Sequence, residues 1–168
     1  FELLWKNNIS NDPIISAPSV EKDKVVFLNL NSSLYCVSAK SGSLNWKYEF
    51  SDKQIFSPKN YPLSDSKNIF SISPEGNLFA VDLLLGRKTW SVNSKGLLNQ
   101  FYITSDKQSL VVLNNIGMMT FFSAKDGKEI QRLDFKKSGL FSFMITENEE
   151  YLFVGFSDGS LYIMDKKF

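Results

Sequence analysis

A tryptophan and a glycine recur together about every 42 residues along this chain. The tryptophans are Trp5, Trp46 and Trp90, and Gln131 takes the fourth place in the series. Trp46, Trp90 and Gln131 each lie four residues after a glycine, and each of these glycines lies four residues after a short polar residue. The glycines are Gly42, Gly86 and Gly127, the polar residues are Ser38, Asp82 and Ser123, and Asp165 begins a further copy. A period of this length is typical of a repeat architecture, in which one small unit is built several times.

Each repeat contains short apolar runs that favour β-strands. Lys67–Ser73 and Leu78–Asp82, for example, flank the turn residues Pro74-Glu75-Gly76-Asn77. With one run before this hairpin and one after the motif glycine, each repeat predicts four antiparallel strands, which is a propeller blade. The predicted fold is therefore an all-β β-propeller of about four blades, which is half of an eight-bladed ring. Its predicted parts are an outer strand of a preceding blade at residues 1–6, full blades at 13–50, 55–93 and 98–135, and a last, three-stranded blade at 140–168.

The motif residues have a mechanical interpretation. The glycine supplies a positive φ in the turn between the third and fourth strands, and the Ser or Asp accepts backbone N–H bonds of that turn. The tryptophan, four residues later, is expected to pack across to the neighbouring blade and to donate its indole N–H to a carbonyl. This pattern favours a structural role for the tryptophans over a role in ligand binding.

The quoted motifs carry a family resemblance. The segment from Gly76 to Trp90 resembles the tryptophan-docking repeat of quinoprotein-like (PQQ-like) β-propellers, and Asp158–Asp165 resembles the first half of that repeat. The last strand pattern and the segment from Lys125 to Leu140 are similar to the C-terminal half of the family of the outer-membrane protein assembly factor BamB. The resemblance implies a non-catalytic scaffold, accessory to barrel insertion, at the periplasmic face of the outer membrane. It also implies contacts with a subunit of the barrel-assembly machinery and with unfolded outer-membrane proteins.

Composition argues against several kinds of chemistry. The chain has no histidine and one cysteine, so histidine-dependent nucleophiles and thiolate zinc clusters are excluded from these residues. We therefore predict no catalytic residue, no cofactor site and no metal site. The net charge of +1 argues against nucleic acid as a partner. Cys36 holds the place of Ala80 in the next repeat and is expected to be buried, and the cluster of Glu147, Glu149 and Glu150 is interpreted as a polar turn.

Two alternatives to the scaffold remain open. One is a fragment of a PQQ-dependent dehydrogenase, and the other is a propeller interaction or sensor domain of another pathway, since one fold serves many functions. A full-length sequence would separate them. A lipoprotein signal favours the scaffold, a vicinal Cys-Cys pair favours the dehydrogenase, and a transmembrane segment with a kinase domain favours the sensor.

One turn differs from its equivalents. The first repeat carries Ala39-Lys40-Ser41 between the motif residues, whereas the second carries Leu83, Leu84 and Leu85, followed by Arg87. Exposed leucines beside cations predict a partner-binding surface, and the alternative is that the leucines cover a neighbouring blade or loop. A partial propeller also predicts self-association through its open ends, or pairing of residues 1–6 beside Leu161–Asp165.

Overall fold

The computed structural model describes residues 2–31, 33–50, 61–73, 75–94, 98–136, 140–146 and 150–165. Every regular element in this part of the chain is a β-strand, and the strands form four antiparallel sheets. The chain divides into two compact units, Phe1–Ser91 and Val92–Phe168, and each is described by itself. The all-β fold predicted from the repeat is confirmed.

The first unit contains two four-stranded sheets, each formed from one repeat. Neighbouring strands in each sheet follow one another along the chain, as expected when hairpins connect them. Sheet 1 comprises β1 (Ser19–Glu21), β2 (Lys24–Leu28), β3 (Ser33–Ser38) and β4 (Leu44–Glu49), and sheet 2 comprises β5 (Leu63–Ser64), β6 (Asn68–Ile72), β7 (Asn77–Asp82) and β8 (Lys88–Asn93), whose end runs past the division between the units.

The second unit contains the other two sheets, with the same order of strands. Sheet 3 has four strands, and sheet 4 has three within the described residues. Sheet 3 comprises β9 (Leu98–Ile103), β10 (Ser109–Asn114), β11 (Met118–Ser123) and β12 (Glu129–Asp134), and sheet 4 comprises β13 (Leu140–Ile145), β14 (Tyr151–Phe156) and β15 (Leu161–Asp165).

A buried apolar cluster lies between the two sheets of each unit. Because successive side chains of a strand point to opposite faces, Val26 and Leu28 face one way and Phe27 faces the other. Val26 and Leu28 meet Phe79 of sheet 2 in one buried cluster, together with Trp46 and five further residues. In the second unit, residues of sheet 3 and sheet 4 share a comparable cluster: Val111, Leu113, Met119, Phe143, Leu152, Val154 and Phe156.

The first strands of sheets 1 and 2 are shorter than the apolar runs suggest. The run expected before the first hairpin lies near Ile14–Val20, and it gives only β1 at Ser19–Glu21 and an isolated bridge between Ile14 and Asn29. Pro18 stands directly before β1, and Pro62 stands directly before β5. Proline has no N–H to donate to a ladder, so it limits how far a strand can extend. The run expected before the second hairpin, Ile55–Leu63, falls largely outside the described residues.

The predicted outer strand at residues 1–6 is not present in the described part of that segment. Residues 2–6 have no strand assignment and pair with no described strand. A single extended segment has no hydrogen-bonded ladder of its own, so it becomes a strand only when a second strand lies beside it. Trp5 nevertheless holds a defined position, which the next subsection describes.

Candidate protein-binding turn

Trp46 of β4 lies against the turn between β7 and β8. Its indole N–H donates to the carbonyl of Leu83 at 2.9 Å, and its side chain is 8% exposed. A Cβ at Gly86 would lie 2.6 Å from Cγ of Trp46, closer than real Cβ atoms approach. Gly86 also has a φ of +67°, in the left-handed region that favours glycine. Glycine is therefore needed here both for backbone conformation and for space.

Trp5 makes the same contacts with the turn between β3 and β4. Its indole N–H donates to the carbonyl of Ala39 at 2.8 Å, and a Cβ at Gly42 would lie 2.6 Å from Cε3 of Trp5. The indole-to-carbonyl contact expected from the repeat is thus present for both tryptophans. Trp90 is partly buried in β8, and the centroid of its ring lies 5.8 Å from that of Phe70 in the same sheet.

The polar residue of the motif organises each turn from within. Oδ1 of Asp82 accepts the backbone N–H groups of Leu84 and Leu85, both at 2.8 Å. Oγ of Ser38 accepts the two equivalent N–H groups at 3.2 and 3.3 Å. In the third repeat the Ser123 hydroxyl donates to Asp126, and this hydrogen bond is the main cause that lowers the pKa of the Asp126 carboxyl. Asp165 ends β15, and the turn that would follow it lies outside the described residues.

We expect Asp82→Ala to lower the free energy of unfolding by about 1 kcal/mol, because two backbone N–H groups lose their acceptor at a site open to water. Asp82→Ser should lose less, since Ser38 performs the same function in the first repeat. Urea denaturation of the three proteins measures the difference. Equal stability of all three would show that the side-chain acceptor contributes nothing to the turn.

The three leucines of this turn do not share one environment. Leu84 is 73% exposed and Leu85 is 63% exposed, whereas Leu83 is 3% exposed and belongs to the core cluster that contains Trp46. The prediction that Leu83 belongs to an exposed surface is therefore wrong. The Leu83 side chain packs in the same buried cluster as the Trp46 ring, and its backbone carbonyl accepts the indole N–H.

The sequence contained a signal for the burial of Leu83. The same place in the other repeats is held by Ala39 and Ala124, so it is apolar every time. All three donate their backbone N–H to the carbonyl of the residue directly before the second strand of their sheet, at 2.8–2.9 Å; these residues are Asp23, Lys67 and Gln108. The position is thus a fixed part of the repeat, and only Leu84 and Leu85 distinguish the second turn.

Cations lie beside the exposed leucines. The side chains of Arg87 and Lys88 are exposed, and the backbone of Arg87 is held by a hydrogen bond from the Asp82 N–H to its carbonyl at 2.8 Å. We call Leu84, Leu85, Arg87 and Lys88 the leucine turn. It presents two apolar side chains and two positive charges on a backbone fixed by Asp82 and Gly86. Such a surface suits contact with a protein that has an apolar patch and acidic groups.

The described residues show no arrangement with obvious chemical reactivity. Cys36 is buried, and burial raises the pKa of its thiol, so this group is poorly suited to act as a nucleophile. No group of three or more His, Cys, Asp or Glu side chains in the described part of the chain is placed to hold a metal ion. Glu147 and Glu149 lie outside the described residues, and Glu150 is exposed. No described helix is long and apolar enough to cross a membrane.

The chain matches a protein-family model and one curated protein. The family is described as "Outer membrane protein assembly factor BamB", and the match covers residues 2–139. The curated relative is "Uncharacterized protein RP232" of Rickettsia prowazekii (strain Madrid E), which is 23% identical over 120 residues. That alignment covers 66% of this chain but only 28% of the relative, so the chain spans less than a third of that protein's length.

Crystal structures of two proteins show the same fold. BamB from Moraxella catarrhalis aligns with a TM-score of 0.76 at 15% identity, over 96% of this chain and 49% of the BamB chain. The computationally designed Ika4 protein aligns with a TM-score of 0.79 at 12% identity, over 98% of both chains. At these identities the likeness concerns the fold alone. The chain is a PQQ-like β-propeller fold of about four blades, similar to half of BamB.

Proposed function

The chain belongs to the family of the outer membrane protein assembly factor BamB, and on that premise we propose that it is a non-catalytic, protein-binding scaffold. In this proposal it is an accessory factor in the assembly and insertion of outer-membrane β-barrel proteins. It acts at the periplasmic face of the outer membrane. Its partners are a subunit of the barrel-assembly machinery and unfolded outer-membrane proteins.

The observation that carries the proposal is the leucine turn. Leu84 and Leu85 are 73% and 63% exposed although each could have been polar, as Lys40 and Ser41 are at the equivalent places. Apolar side chains that remain in water in the free protein gain most when a partner covers them. The leucine turn is therefore the part of the described surface where we expect a protein partner to gain apolar contact.

The backbone under these leucines is already ordered before a partner arrives. The N–H groups of both leucines donate to the Asp82 carboxylate, and the Gly86 N–H donates to the Asp82 carbonyl at 2.9 Å. The Trp46 indole N–H donates to the carbonyl of Leu83 in the same turn. Ordering a flexible loop reduces affinity, so a turn fixed in advance retains more of the contact energy. Arg87 and Lys88 would add attraction to an acidic partner surface, mainly by speeding the encounter.

The test is Leu84→Asp combined with Leu85→Ser, measured against the purified barrel-insertion subunit by isothermal titration calorimetry. We expect the dissociation constant to rise about tenfold or more, because two apolar contacts are lost and a negative charge faces an acidic surface. The melting temperature should change by only a few degrees, since neither side chain is buried.

Ser41→Asp is the matched control. It changes the net charge by −1, as Leu84→Asp does, at the place in the first repeat that Leu85 holds in the second, so it should leave the affinity unchanged. Equal loss of binding in both variants would assign the effect to net charge. An unchanged affinity of the leucine variant would rule out the leucine turn as the binding surface, and collapse of its fold would show that the leucines are structural.

A further inference from the structure

A small groove opens on the face of sheet 2 that packs against sheet 1, and its volume is 100 Å³. The floor of the groove is aromatic. Phe79 is buried, and the ring centroids of Tyr48 and Phe50, from the end of sheet 1, lie 6.2 and 4.5 Å from its own. The other side chains that line the groove are all polar: Ser73, Glu75, Asn77, Lys88 and Ser91.

The groove depends on a short residue at a place where the other full repeats have a long cation. Ser91 directly follows the motif tryptophan, as Lys47 does in the first repeat, and Arg132 holds the same place in the third. In sheet 1, Lys47 lies opposite Tyr35, and its ammonium nitrogen lies 5.4 Å from the centroid of that ring. Phe79 takes the place of Tyr35 in sheet 2. Because serine is too short to cover this ring, the space that a lysine would fill remains open.

The groove also contains two opposite charges. Glu75 accepts a hydrogen bond from the Ser73 hydroxyl, and Lys88 is exposed. Neither Glu75 nor Lys88 forms an ion pair with another described residue, although both line the same groove. The places equivalent to these two are held by Asn31 and Leu44 in the first repeat and by Ile116 and Glu129 in the third. Of the three full repeats, only the second therefore combines a carboxylate with an ammonium group here.

We propose that this groove binds a small zwitterion, namely a free α-amino acid with a small side chain. The Glu75 carboxylate accepts hydrogen bonds from the ligand's ammonium group, and Lys88 donates to the ligand's carboxylate. Asn77 and Ser91 supply neutral donors and acceptors between these charges. Since a water molecule occupies about 30 Å³ in the liquid, a groove of 100 Å³ suits a ligand of this size. A ligand with a single charge would leave either Glu75 or Lys88 without its partner.

The test is a titration of the isotope-labelled chain with glycine, followed by NMR through the backbone amide signals of Glu75, Asn77 and Ser91. We expect these signals to shift and to saturate, with a dissociation constant in the millimolar range because so small a ligand makes few contacts. Acetate and methylamine each carry one of the two charges of glycine. Both should bind at least about tenfold more weakly than glycine, since each lacks one set of charged hydrogen bonds.

Three variants define the result. Ser91→Lys restores the residue of the first repeat, so it should fill the groove and abolish the glycine shifts while the circular dichroism spectrum stays unchanged. Ser41→Lys adds the same charge at an exposed turn residue outside the groove and should bind glycine as the native chain does. Glu75→Gln should remove the preference for glycine over acetate.

Several results would overturn the proposal. They are an absence of saturable shifts, equal binding of glycine and acetate or methylamine by the native chain, and glycine binding that Ser91→Lys leaves unchanged. Equal loss of binding in Ser91→Lys and Ser41→Lys would also overturn it, because the effect would then belong to net charge. The titration contains no protein partner, so its outcome is independent of the proposed function.

Discussion

Replacing Trp46 with alanine should lower the free energy of unfolding by about 3–5 kcal/mol, the range for large aromatic residues in protein cores. Trp46 is 8% exposed and lies in one buried cluster with Leu28, Phe79 and Leu83, so its removal leaves a cavity between two sheets. The Leu83 carbonyl also loses its indole donor. Urea denaturation followed by circular dichroism measures the loss, with a constant m-value as the sign that the unfolded state is unchanged.

Trp46→Phe separates the two contributions. A phenyl ring retains most of the apolar contact but donates no hydrogen bond, so we expect a loss smaller than that of alanine and not less than about 1 kcal/mol. Asn45→Ala, next to it in the same strand, is exposed and should change stability by no more than about 0.5 kcal/mol. A loss below about 1 kcal/mol for Trp46→Ala would show that the tryptophan does not hold the sheets together.

The docking of Trp46 follows from the sequence because its parts lie at fixed spacings. Asp82 and Gly86 are four residues apart in one turn, and Trp46 stands one repeat before Trp90 in the same series. Because the turn has a fixed length and the tryptophan a fixed position in its strand, these groups occupy the same places in each repeat. The hydrogen bonds from the indole groups to the carbonyls of Ala39 and Leu83 are the result. Periodicity therefore predicts contacts that a single motif would not.

The structure differs from the prediction where the pairing of β-strands depends on features that the repeat does not contain. Residues 2–6 match the tryptophan position but need a second strand that no spacing provides. The beginnings of β1 and β5 depend on Pro18 and Pro62, single residues whose missing N–H outweighs the apolar runs around them.

The candidate site was predictable only in part. When the second turn is compared as a whole with the more polar turns of the other repeats, all three leucines are predicted to be exposed. A comparison of each position separately distinguishes Leu83, which is buried, from Leu84 and Leu85, which are exposed. The first of these positions is apolar in Ala39 and Ala124 as well, so it belongs to the repeat. What the exposed pair contacts is a property of a partner's surface, and no pattern within this chain contains that information.

Replacing Gly86 with alanine should lower the free energy of unfolding by about 2–5 kcal/mol. A non-glycine residue at a φ of +67° carries strain of about 1–2 kcal/mol, and forcing a methyl group into a packed interior adds about 1–3 kcal/mol. The second term is expected here because the new Cβ would lie 2.6 Å from Cγ and 2.7 Å from Cδ2 of Trp46, atoms of a ring fixed by its bond to Leu83.

Gly159→Ala is the matched control for the Gly86 substitution, because Gly159 has a φ of +85° but no atom within 4 Å of the added Cβ. It should show the strain alone, about 1–2 kcal/mol. The effect of Gly86→Ala should then fall towards this value in a chain that already carries Trp46→Ala, since the indole atoms are gone and only a Cβ remains in contact. If Gly86→Ala and Gly159→Ala have equal effects, and the Trp46 background changes neither, the glycine serves the turn alone. The tryptophan would then dock without requiring the space that glycine leaves.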